Sequence, residues 1–251
     1  MRAITPRIAF PLTAVVAVVT MAAYLMPALT SLLSIDLVNP QRLQLFQLLG
    51  CHLLHWSAEH LFWDLAMFCI LGGLCERWWP KQYYITVAIS ALMIPLLIMV
   101  FQPNISSYRG LSGIDTAIFS LMATNVCFAS LRRSDWSQAM LFGTLLMSLA
   151  GKVAYEFVTG DLLFVSDLNF IPLPLAHLIG GIVGVFAPLG CLRLSARKGS
   201  GNIALAIRSD ESIQRVDPTS RSDAANRGLA VNNGKGYPAR LLTSFDFREK
   251  F

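Results

Sequence analysis

The sequence predicts an all-α integral membrane protein, with six transmembrane helices in one bundle and a polar C-terminal tail. Three observations predict it. The 251 residues are 55% hydrophobic and only 14% charged, with a mean hydropathy of +0.55, whereas a soluble domain is about a quarter charged. The charge is also segregated: residues 194–251 carry 16 of the 35 charged side chains, which leaves 19 among the first 193. The apolar residues gather into runs of about 20, the length a helix needs to cross the hydrocarbon core. This excludes a soluble enzyme, a disordered protein and a nucleic-acid binder with a basic patch. The net charge of +5 fits Lys and Arg retained on the cytoplasmic side of a membrane.

The first run, near Ile8–Leu33, follows Arg2 and Arg7 as a secretory signal would. It is too long for a signal core and no clear small-x-small cleavage site follows, so it is expected to be a retained span. Five further runs lie near Ala58–Leu74, Tyr83–Phe101, Ser112–Ala129, Ala139–Phe157 and Pro172–Leu192. Arg77 and Lys81, Arg132 and Arg133, and Arg193, Arg197 and Lys198 fall on the same side as Arg2 and Arg7. The opposite side holds Arg42 and Arg109, with Lys152 near the end of span five, and leans acidic through Glu156, Asp161 and Asp167. Both termini are therefore expected in the cytoplasm, with the protein in the inner membrane if the cell is bacterial. Residues 1–193 form one membrane core without an internal repeat. Residues 194–251 mix Gly, Ser, Asn, Asp and Arg without periodicity, the composition of a disordered tail. Cys51, Cys69, Cys75, Cys127 and Cys191 sit in apolar segments without CxxC spacing and are expected to be free thiols.

Polar groups at membrane depth are costly, so each is a functional candidate. His52, His55 and His60 cluster where the chain enters span two, and His177 lies about one turn inside span six. Spans two, four and six all run inward from the outer face. His60, Ser112 and His177 are therefore expected at a similar depth on three helices. Ser112 lies in Gly110-Leu111-Ser112-Gly113. Its small neighbours allow close approach to the hydroxyl, and a helix N-terminus offers N–H groups to an oxyanion. The same tetrapeptide also reads as a simple N-cap. It is not the hydrolase elbow, because position 114 is Ile and no βα alternation surrounds it. Gly180 and Gly184 form a GxxxG pair after His177, which lets another helix pack closely. If that partner is span four, the serine and imidazole meet as an activated nucleophile. A bare packing motif would explain the glycines but leave the histidine without a partner.

A metal site built from His52, His55, His60 and Asp64 is not expected. There is no HExxH, the inverted form fails at Trp56, and such a site leaves Ser112 and His177 without a role.

Four of these segments together resemble the rhomboid intramembrane serine proteases. His55-Trp56-Ser57-Ala58-Glu59-His60-Leu61-Phe62-Trp63-Asp64 is similar to the family's HxxxxHxxxN, with Asp for Asn. Leu71–Arg77 is similar to its GxxxE stretch, Gly110–Gly113 to its GxSG and Ala176–Gly184 to its AHxxGxxxG. The Gly-Leu-Ser-Gly-Ile-Asp context most resembles the rhombosortase branch. The resemblance implies a dyad of Ser112 and His177 that cleaves within or beside a membrane segment. It implies oxyanion stabilisation by His60, the Asp64 position and the backbone N–H groups of Leu111 and Ser112, with Gly110, Gly113, Gly180 and Gly184 packing the helices. No cofactor and no metal are implied. The substrates would be membrane-anchored proteins; the rhombosortase resemblance implies C-terminal anchors with a Gly-rich stretch. The other expected partner is the lipid bilayer, and nucleic acid is not one.

Two positions depart from that pattern. Thr116 stands where many relatives stack an aromatic residue on the histidine, and Asp64 replaces Asn. Either burial keeps Asp64 protonated as a hydrogen-bond donor, or an ionised Asp64 holds His60 as an imidazolium. The first is expected, because a lone carboxyl in a membrane cavity loses much of its hydration and neutralising it costs less than stranding it. The rival functions are an inactive rhomboid relative that binds membrane helices, against which intact Ser112 and His177 argue, and a small transporter. A transporter often shows repeated halves and midplane helix breaks, whereas here the polar residues gather at one depth near one face and no repeat is visible.

Overall fold

The computed structural model describes residues 11–37, 43–160, 173–188 and 190. The regular structure in them is helical throughout. The proposed tail lies outside them, as do Arg2, Arg7, Arg42, Arg193, Arg197 and Lys198.

The first apolar run is not one straight span. It forms α1 (Pro11–Leu25) and α2 (Pro27–Leu33), bent by 110°. Pro27 explains the break. It has no N–H for the ladder of α1, and its ring drives Met26 out of the helical region to φ −117°, ψ 88°. A short helix α3 (Leu45–Gly50) and a 3₁₀ turn (Cys51–Leu53) lead to α4 (Ala58–Trp78), which carries a π-turn over Phe68–Gly72. Next come α5 (Pro80–Phe101), α6 (Ser112–Arg132), α7 (Trp136–Thr159) and the shorter apolar helix α8 (Pro174–Pro188). Among the described residues, α4, α5, α6 and α7 are long and apolar enough to cross a membrane, and the bent α1–α2 pair makes a fifth candidate. The expected count of six is thus four to five by this measure. The stretch expected as the sixth span forms α8, which is too short to qualify by length.

Of the four long helices, α6 is the most enclosed and α7 the least. α6 packs against α4, α5 and α7, and α8 lies on it through glycines. α1 and α7 turn Val15, Val18, Met140, Met147 and Val158 outward, the apolar faces expected toward lipid. Buried polar contacts tie the first helix to the rest, and Thr13 Oγ1 lies 2.8 Å from the Tyr83 hydroxyl of α5. The buried Glu76 carboxylate accepts from the N–H groups of Leu12 (2.8 Å) and Thr13 (3.0 Å) and from Thr13 Oγ1 (2.7 Å). It therefore satisfies the open N-terminus of α1 from another helix and complements its dipole. This gives the acidic residue of the Leu71–Arg77 stretch a structural task.

Candidate active site

The site is built on the loop that enters α6. Gly110 has φ +120°, and a Cβ there would lie 2.9 Å from the His60 ring and 3.2 Å from Asp64 Oδ2. Only glycine fits that conformation and that space. Gly110 thus abuts the histidine of α4 from a turn, while the other three expected packing glycines sit within helices. Its N–H donates to the Cys51 carbonyl (3.2 Å), and its own carbonyl accepts from the Tyr108 hydroxyl (3.1 Å). His52 is fully enclosed, with Nδ1 3.2 Å from the Gly110 carbonyl and Nε2 3.0 Å from that of Ala91. Burial holds its pKa down to about 4 against the pull of those two carbonyls. His52 is a structural pin for the loop.

Leu111 caps α6, so half-buried Ser112 occupies the first helical position. The N–H groups of Ser112 and Gly113 belong to the turn that has no preceding carbonyl to bond. The helices that carry Ser112 and His177, α6 and α8, meet through glycines. A Cβ on Gly113 would lie 3.1 Å from the Ala176 carbonyl oxygen. Cβ atoms on Gly180 and Gly184 would overlap the carbonyl oxygens of Gly113 and Ala117. The two backbones therefore touch, as the GxxxG pair predicts. Ser112, His177, His60 and Asp64 line a single cavity of about 880 Å³.

On the far wall of that cavity His177 Nδ1 lies 2.9 Å from Glu156 Oε2 of α7. Lys152 Nζ donates to Glu156 Oε1. On the near wall Asp64 is not a lone carboxyl. Its Oδ2 accepts from the Leu111 N–H (2.8 Å) and lies 3.1 Å from His55 Nε2 and 3.2 Å from His60 Nε2. Oδ2 thus serves as acceptor for a buried N–H between two imidazoles, so the carboxyl does not stand alone in the cavity. Leu111, expected to offer its N–H to an oxyanion, directs it to Asp64. His55, His60 and Asp64 offer three ligand atoms within 4.8 Å of one another, a set that a zinc-class ion could use. Here those atoms contact each other.

The family model of the Rhomboid domain matches residues 42–194, more than half of the chain. The chain belongs to the rhomboid family. No curated protein matches it. Rhomboids are in general intramembrane serine proteases, and the apolar helices of this rhomboid make it a multi-pass integral membrane protein.

The matched segment contains every residue singled out in the sequence: Ser112, His177, His60, Asp64, Leu111 and the four glycines. Four further side chains line this rhomboid's cavity without a site role assigned from the sequence. Glu156 and Lys152 enter the sequence reading only as charge near the end of span five. They form an i, i+4 charged pair inside an apolar helix, which is itself a functional signal. Asp115, one turn after Ser112, is buried and lines the same cavity. Arg109 stacks on the Trp56 ring, 4.2 Å from its centroid, at the edge of the loop.

Proposed function

We propose that this rhomboid is an intramembrane serine endopeptidase in which Ser112 is the nucleophile and His177 the general base. The convergence of Ser112 and His177 on one cavity, enforced by the glycine contacts of α6 and α8, carries this reading. Ser112 Oγ attacks the scissile carbonyl and passes its proton to His177 Nε2. The tetrahedral oxyanion is met by the N–H groups at the start of α6 and by the His60 imidazole, which Asp64 holds in place. On collapse His177 returns the proton to the leaving amine, and water then hydrolyses the acyl-serine by the same base.

The bent α1–α2 pair and α8 complete a six-span topology in this reading. Both termini face the cytoplasm and the cavity lies toward the outer face, where water reaches it. Substrates are membrane-anchored proteins whose cleavage sites carry small, helix-destabilising residues, because a scissile bond must unwind to reach the serine. The rhombosortase-like context of Ser112 narrows them to C-terminal anchors with a Gly-rich stretch.

Co-expression with a protein carrying such an anchor tests this. Release is expected with the native chain and lost in Ser112→Ala and in His177→Ala, since nucleophile and base act as a unit. Near-normal release by His177→Ala would end the mechanism.

A further inference from the structure

The proposed dyad has a neighbour that a two-residue mechanism does not use. Glu156 is completely buried in α7, and its two oxygens have different partners. Oε1 accepts from Lys152, one turn earlier on the same helix, while Oε2 lies 2.9 Å from His177 Nδ1. Lys152 Nζ is also 3.4 Å from His177 Nδ1. That nitrogen cannot both donate to the carboxylate and accept from the ammonium, and the shorter contact is to the carboxylate.

A carboxylate that accepts from Nδ1–H fixes the imidazole tautomer, which leaves Nε2 as the basic nitrogen. Its charge also favours the imidazolium that forms when His177 takes the serine proton. A bare i, i+4 ion pair within α7 would give Lys152 and Glu156 partners, but would require nothing of Oε2. The second oxygen on His177 is what distinguishes the arrangement.

We infer that Glu156 is a positioning residue that completes a Ser112–His177–Glu156 triad, with Lys152 holding the carboxylate in place and tempering its charge. The inference rests on the protease reading above. The proton moves from Ser112 Oγ to His177 Nε2 as the Oγ–C bond forms. It then leaves on the amine nitrogen as the C–N bond breaks, while the Nδ1–H stays on His177 throughout. Glu156 neither gains nor loses a proton.

The test is the rate at which a fluorophosphonate labels Ser112 in the purified full chain, together with kcat and KM on a model transmembrane substrate. Glu156→Gln keeps the shape and removes the charge. It is expected to slow labelling and lower kcat roughly a hundred- to ten-thousandfold, the scale of losing the triad carboxylate elsewhere, with KM nearly unchanged. Glu156→Asp, which restores the charge, is expected to recover about a tenth of the native rate or more. If Lys152, left without its carboxylate, prevents folding of the single variant, the double variant Lys152→Gln, Glu156→Gln removes both charges together. It is expected to show the same loss of kcat at an unchanged melting temperature. Native labelling by folded Glu156→Gln or by the folded double variant, with His177→Ala unlabelled, would overturn the triad and leave the dyad intact. Native labelling by His177→Ala would instead overturn the protease reading itself.

Discussion

Gly180 of α8 faces Gly113 of α6 so closely that a Cβ on Gly180 would overlap the Gly113 carbonyl oxygen. Ser112 precedes one of these glycines, and His177 lies one turn before the other. The contact therefore sets the distance between the proposed nucleophile and base. Gly180→Ala is expected to force the helices apart, at a cost of about 1–3 kcal/mol, and to reduce cleavage by about tenfold or more. At Gly181 a Cβ would meet its first neighbour at 3.8 Å, so Gly181→Ala is expected to change neither. Thermal unfolding in detergent and substrate cleavage, measured on both variants, check the contrast.

Asp64 provides a second prediction. Its Oδ2 accepts the buried Leu111 N–H and sits against two imidazoles. Asp64→Asn retains an acceptor for Leu111 but loses the charge that holds His60. It is expected to fold and to lose roughly ten- to a hundredfold in kcat, below the full cost of an oxyanion donor. Asp64→Ala leaves the Leu111 N–H unpaired as well and is expected to lose a further ~1–3 kcal/mol of stability. Native kcat in Asp64→Asn would restore the neutral-donor arrangement.

His52 predicts a pH dependence of stability. Burial depresses its pKa to about 4 in the folded protein, against about 6.5 in the unfolded chain. Between these values the unfolded state binds the extra proton, so stability rises with pH. The contribution is complete above about pH 6.5 and is lost as pH falls toward 4, with a limit of order 3 kcal/mol. His52→Gln, measured beside the native chain by thermal unfolding across this range, is expected to show a shallower acid slope. An identical slope would place the titration elsewhere.

Much of this site is legible in the sequence because membrane depth makes polar side chains conspicuous. His60, Ser112 and His177 stand out against apolar neighbours, and GxxxG after His177 announces the helix contact that the glycines make. The bend at Pro27 is readable from proline chemistry, yet the hydropathy of Ile8–Leu33 is continuous across it. Asp64 cannot be assigned its partners, because Leu111 reaches it from 47 positions away and no local pattern encodes that contact. Glu156 escapes for a different reason. Net charge per loop absorbs it, although its spacing from Lys152 puts both charges on one face of a membrane helix.

Labelling of the purified native chain with a fluorophosphonate, located by mass spectrometry and compared with Ser112→Ala, decides whether Ser112 is an activated nucleophile. A single covalent adduct on Ser112, absent from Ser112→Ala, is expected. A folded native chain that takes no label, or a Ser112→Ala chain labelled as strongly as the native one, would contradict it.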